Sequence, residues 1–148
     1  MLDLEQLIKE SIVSKNTPAK LVYQAIKAEK QKFLTSKNAG NYDEGTEASI
    51  IRKLVSQHED SMELYKKSGR ADLLNSEYEE YLVLKSLVPP SVSIEKLTES
   101  LAEWLQENNL QYVPQKRMGD AIKHIKECYP TAEGREVAYL VKKHVRNE

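Results

Sequence analysis

Cysteine is nearly absent: one residue, Cys128, in a chain of 148. No internal disulfide can form, and a reducing, cytoplasmic setting is the expectation. Glycine and proline are scarce, five of each, while charged residues make up 30%. That balance fits a soluble helical protein and excludes a disordered one. No apolar run approaches the ~18 residues that a membrane-spanning helix requires. The opening MLDLEQLIKESIV fits neither a signal peptide nor an Arg-rich transit peptide. A net charge of −1 argues against a globally basic nucleic-acid binder and leaves room for a local basic patch. Internal repeats, period-2 alternation and Asn-Gly or Asp-Gly hairpin turns are also missing, so the helical signal stands without a competitor.

What is present is a succession of amphipathic stretches. A first helix is expected over about Leu2 to Ser14, with Leu4, Leu7, Ile8 and Ile12 on one side. Thr17-Pro18 reads as an N-cap followed by proline at the first helical position. The second helix then runs to about Ser36, and NAGNYDEG (Asn38 to Gly45) is rich in turn formers. A third helix is expected from about Thr46 to Lys67, with Gly69 closing it. A fourth covers about Arg70 to Leu87. Its apolar residues wrap more than half the circumference, which predicts the most buried element. Pro89-Pro90 ends it, since neither residue donates to the helical ladder. Ser93 caps a fifth helix, and a sixth (about Gln115 to Cys128) and a seventh (about Gly134 to Arg146) complete the chain. The expected fold is all-α: an N-terminal four-helix unit over residues 1–90 and a small C-terminal three-helix unit over 91–148.

Several groupings carry chemistry. Asp120, His124 and Cys128 recur at i, i+4, i+8, one ladder drifting ~40° per step. They are ingredients of a thiol nucleophile with its base, or of half a metal site. Cys128 falls at a helix C-terminus, where the negative end of the dipole disfavours a thiolate, and the remaining zinc ligands are missing. A semi-buried structural cysteine is therefore expected, with neither metal nor cofactor. His58 and His144 each lie on an apolar stripe and read as packed, hydrogen-bonded core residues. Glu77 and Glu80 sit among leucines, where a carboxylate must find a cation, donors or a proton. Arg70 lies two turns earlier and Arg52 and Lys53 sit on the helix before, which predicts an internal ion pair of Arg70 with Glu77 and Glu80 that locks the helix hairpin. A paired-carboxylate acid/base site is the competing reading.

The last helix gives the sharpest signal. Arg135, Tyr139, Lys142 and Arg146 follow i, i+4, i+7, i+11, opposite Val137, Leu140 and Val141. Lys116 and Lys123 are expected to project outward from the helix before. Residues 114–147 hold eight Lys/Arg against four Asp/Glu. Cations in a row with one aromatic suit a phosphate backbone and a stacked base. An ordinary solvated face, its lysines complementing the helix dipole, is the alternative.

The stretch VSQHEDSMELYKKSGRADLLNSEYEEYLVLKSLVPP resembles the YqeY-like family. Gln57, Asp60-Ser61, Gly69-Arg70, Asp72-Leu73, Glu77, Glu80, Leu87 and Pro89 carry the resemblance. The tail, through Met118-Gly119, Gly134-Arg135 and Leu140-Val141, is similar to a part which that family shares with the tail domain of the GatB subunit of tRNA-dependent amidotransferase. The resemblance implies an all-helical protein with a larger N-terminal bundle and a smaller C-terminal unit. It also implies a tail that engages tRNA while amide chemistry happens in domains absent here. The chain shows no glutaminase nucleophile, no Ser-Lys amidase signature and no phosphate-cradling loop, so an enzyme acting alone is not expected.

The leading expectation is a non-catalytic protein that binds tRNA or other RNA through Lys116, Lys123, Arg135, Tyr139, Lys142 and Arg146. Gly119 and Gly134 would let backbone or phosphate approach closely. An adaptor for an amidotransferase or aminoacyl-tRNA synthetase is the second, and an amidotransferase-like enzyme component the third.

Overall fold

Helix starts in this chain are set largely by short polar side chains that turn back on the backbone. Asp3 accepts from the Gln6 N–H at 3.3 Å and Asn16 from Ala19 at 3.2 Å. Asp43 accepts from both the backbone and the hydroxyl of Thr46, at 2.8 and 2.9 Å. Ser93 accepts from Lys96 at 3.3 Å. Each satisfies an N–H that the helix leaves without a partner. A computed structural model describes residues 1–37 and 40–146. It contains α1 (Leu4–Val13), α2 (Thr17–Thr35), α3 (Glu44–Lys67), α4 (Ala71–Leu87), α5 (Ile94–Glu107), α6 (Met118–Cys128) and α7 (Gly134–Lys143). The protein is all-α apart from a parallel bridge of two residues on each side, β1 (Val113–Pro114) with β2 (Val145–Arg146). Among the described residues no helix is long and apolar enough to cross a membrane.

The details differ from expectation in places. Asn16, not Thr17, caps α2, and Pro18 falls within its first turn, where its missing N–H leaves no bond unmade. Helix α3 begins at Glu44, before Thr46, because the Asp43 carboxylate captures the Thr46 N–H. Asn38 and Ala39 of the expected loop lie outside the described residues.

The chain divides into two compact units, Met1–Val88 and Pro89–Glu148. In the first, Val22, Ile26, Ile51, Leu54 and Leu84 form the centre of the core. Helix α4 is not the most buried element: only Leu84 along it is fully enclosed, and Tyr78 and Leu82 are half exposed. Its apolar residues surround the helix, whereas its neighbours cover only one side. Helix α3, with Ala48, Ile50, Ile51, Leu54 and Val55 buried, has the most enclosed residues. The carboxylate of Glu47, also buried, accepts from the Leu2 backbone N–H at 3.0 Å and the Tyr42 hydroxyl at 3.2 Å. In the second unit Leu97, Leu101, Trp104, Ile125, Val137 and Val141 converge.

Candidate functional site

Helix α7 buries Val137, Leu140 and Val141 in the core of the second unit. At about 100° per residue, Arg135, Tyr139 and Lys142 then point the opposite way, and all three are exposed. Tyr139 is 62% accessible, unusual for a large aromatic ring. Lys116, in the single 3-10 turn before α6, and Lys123, on α6, are exposed too. Among the described residues, none of Lys116, Lys123, Arg135, Lys142 or Arg146 is seen in an ion pair.

Arg146 departs from the expected stripe. Helix α7 ends at Lys143, so Arg146 lies on β2 and not at i+11 of a helix. The cause is the bridge: the Val113 N–H donates to the His144 carbonyl at 2.8 Å, which draws the chain into an extended path. Arg146 is exposed and its guanidinium lies 5.7 Å from the centre of the Tyr112 ring. Lys143, absent from the expected set, places its ammonium 4.7 Å from the Tyr139 ring centre. Their i, i+4 spacing is the signal that points to this contact. His144 is exposed rather than packed in the core, because α7 stops one residue before it; its Nδ1 donates to the Leu140 carbonyl at 3.0 Å.

Two cations of the same segment serve the fold instead. Arg117 lies 5.0 Å from the Trp104 ring centre, donates to Asn108 Oδ1 at 2.9 Å and reaches Asp120 at 3.5 Å. Lys126 donates to the Ala132 and Pro130 carbonyls beyond the end of α6. The Asp120–His124–Cys128 ladder is accordingly broken at its first member. His124 Nε2 sits 3.7 Å from Cys128 Sγ, and Cys128 is exposed, not semi-buried. It is the last residue of α6, in line with Ala121 and Ile125 at i+7 and i+3, and is exposed at that helix end. Gly119 and Gly134 occupy the first turns of α6 and α7. A Cβ at either would meet nothing within 4 Å, so neither serves a close approach of backbone within the chain.

The first unit holds a different grouping. The expected Arg70–Glu77–Glu80 ion pair does not form: Arg70 is the N-cap residue of α4 and turns to Asp72 at 3.4 Å. Glu77 Oε2 and Glu80 Oε1 each lie 3.5 Å from Nε2 of His58, across the α3–α4 hairpin. All three side chains are mostly covered, at 23%, 21% and 15% exposure. Burial pushes the Glu77 carboxyl above the usual range; His58 opposes that shift and the neighbouring Glu80 adds to it. Periodicity shows that His58 and the two glutamates face inward, but their meeting depends on how two helices register.

These features define an all-α protein whose C-terminal unit exposes cations and a phenol. The chain belongs to the family of Yqey-like proteins, whose model matches residues 2–146. Among curated proteins none matches the chain.

Proposed function

We propose that this protein is a non-catalytic RNA binder, with tRNA as its foremost ligand, acting through Arg135, Tyr139 and Lys142 of α7 with Lys116, Lys123 and Arg146. The observation that carries the reading is the outward face of α7. Its cations are exposed, and Tyr139 is open beside them. A phosphate backbone is held by such cations through release of its counterions, and an exposed ring offers a base a surface to stack on. The first turns of α6 and α7, which carry no side-chain cap and hold a glycine each, add backbone N–H groups of the kind that suit a phosphate oxygen. The resemblance of the tail to the amidotransferase tail domain supports tRNA over other polyanions.

Filter binding of bulk tRNA across a series of monovalent salt concentrations tests this. Affinity should fall steeply with salt. The triple substitution R135E/K142E/R146E should weaken binding and reduce the magnitude of the log–log slope by about 2–3. An affinity indifferent to salt, or unchanged in the triple variant, overturns the proposal.

A second reading, a protein-interaction adaptor for an amidotransferase or synthetase, is favoured by one observation. Leu64 on α3 and Tyr78 and Leu82 on α4 are at least half exposed, and large apolar side chains in the open suit a protein partner. Partners that survive nuclease treatment in a pull-down, together with no binding of free RNA, would select this reading.

A further inference from the structure

We propose that His58, Glu77 and Glu80 form a binding site for a divalent transition ion of the zinc class, clipping α3 to α4. The inference is independent of RNA binding and starts from the histidine. His58 Nδ1 lies 2.9 Å from the Leu54 carbonyl oxygen. A carbonyl only accepts, so Nδ1 carries the proton, and in the neutral ring Nε2 presents its lone pair. That lone pair faces Glu77 Oε2 and Glu80 Oε1, each at 3.5 Å. One atom from each of the three side chains falls within 4.8 Å of the others. Three lone-pair donors converging on one point favour a cation or a proton between them.

A proton on Nε2 is the simplest cation, but charge-assisted N–H···O contacts close to about 2.7–2.9 Å. The observed separations are longer. The two His58–carboxylate separations match the edge of a tetrahedron of donors around zinc, where ligand bonds of about 2.0–2.2 Å place neighbouring donors about 3.3–3.6 Å apart. All three donor atoms fall within 4.8 Å of one another, a spread that a bound ion would draw in. One imidazole nitrogen and two carboxylate oxygens are a donor set that such borderline ions accept. The Leu54 carbonyl supplies the outer hydrogen bond that holds a metal-bound imidazole in one tautomer and orientation. Glu77 and Glu80, three residues apart on α4, are neighbours on one helix face, and α3 brings His58 against them. Arg70, which would have neutralised the pair, is engaged by Asp72. The partial exposure of the three side chains leaves room for water at the remaining position.

The test is calorimetric titration of the full chain with zinc chloride, in a Cys128→Ser background so that the exposed thiol beside His124 contributes nothing. One equivalent should bind and raise the midpoint of thermal unfolding. His58→Ala and, separately, the near-isosteric Glu77→Gln and Glu80→Gln should each weaken binding at least about tenfold. Cobalt should substitute for zinc and show visible d–d absorption that the His58 variant lacks, while magnesium, which favours octahedral oxygen sites, should not compete. Circular dichroism establishes that each variant is folded. No binding up to about 1 mM zinc, far weaker than a built site allows, overturns the proposal. So do affinities in the three folded variants that match the parent.

Discussion

Gly69 offers a controlled measurement of what one backbone conformation is worth. Three helices end in the same way, with a residue of positive φ followed by two crossed hydrogen bonds. After α3, Gly69 has φ 71°. The Arg70 N–H returns to the Tyr65 carbonyl at 3.0 Å and Gly69 N–H to Lys66 at 3.4 Å. After α1 the residue is Lys15, φ 59°, with Asn16 bonded to Ser11 and Lys15 to Ile12. After α5 it is Asn109, φ 55°. A Cβ at Gly69 would meet nothing within 4 Å, so Gly69→Ala adds no clash and isolates the backbone term. A left-handed L-residue costs about 1–2 kcal/mol. The smaller entropy of the unfolded alanine chain offsets about 0.4–1 kcal/mol. The expected net loss is about 1 kcal/mol. Lys15→Gly reverses the same balance and should gain about 0.5 kcal/mol. Both positions belong to the unit Met1–Val88, so urea unfolding followed by circular dichroism should show the two midpoints moving in opposite directions. A loss above about 3 kcal/mol at Gly69 would exceed any backbone term, and movement of both variants in one direction would refute the cap as the cause.

Other consequences are as direct. Arg117→Ala removes the cation from the Trp104 face and the bond to Asn108; it should cost about 1–2 kcal/mol and shift the fluorescence of the single tryptophan to the red. Ser100 is 3% exposed, and its hydroxyl has no partner among the described residues, so Ser100→Ala should stabilise the second unit by about 1 kcal/mol in thermal or urea unfolding. Hydrogen bonds from the Thr46 backbone and hydroxyl hold the Asp43 carboxyl below its ordinary range. A depressed folded value means that the stabilisation is complete above the ordinary aspartate range and is lost as pH falls through the lowered value. Asp43→Asn should flatten that acid-side loss in a pH series of urea midpoints.

The helices were legible because apolar residues recur at helical spacing and the breaks carry Gly69, Asn108-Asn109 or Pro89-Pro90. What escaped was short or tertiary. A bridge of two residues per strand has no periodicity to detect, yet it moved Arg146 off the helix and set the end of α7. The stripe was read as four members of one helix; three remain there, and Lys143 joins them through Tyr139. The near-uniform apolarity of α4 suggested deep burial, but a helix apolar on every side does not reveal which side its neighbours cover.

The glutamates of α4 show where sequence reasoning stops and why. Their need for a positive partner follows from their place among leucines, and that inference survives in the half-buried pair. The choice of Arg70 rested on helical spacing within α4. At the N-cap the backbone is not helical, with φ −89° and ψ 75°, so the two-turn repeat does not extend to that side chain, and Asp72 is the nearer acid. The partner is His58 of α3 instead, and neither Arg52 nor Lys53 of that helix is seen paired with the two glutamates. A histidine in that role differs from an arginine in kind. Arginine would close the site with a permanent charge, whereas an imidazole anchored at Nδ1 leaves a nitrogen lone pair directed at two carboxylates. The hairpin that looked like a fixed ionic lock is thereby left open to an added cation.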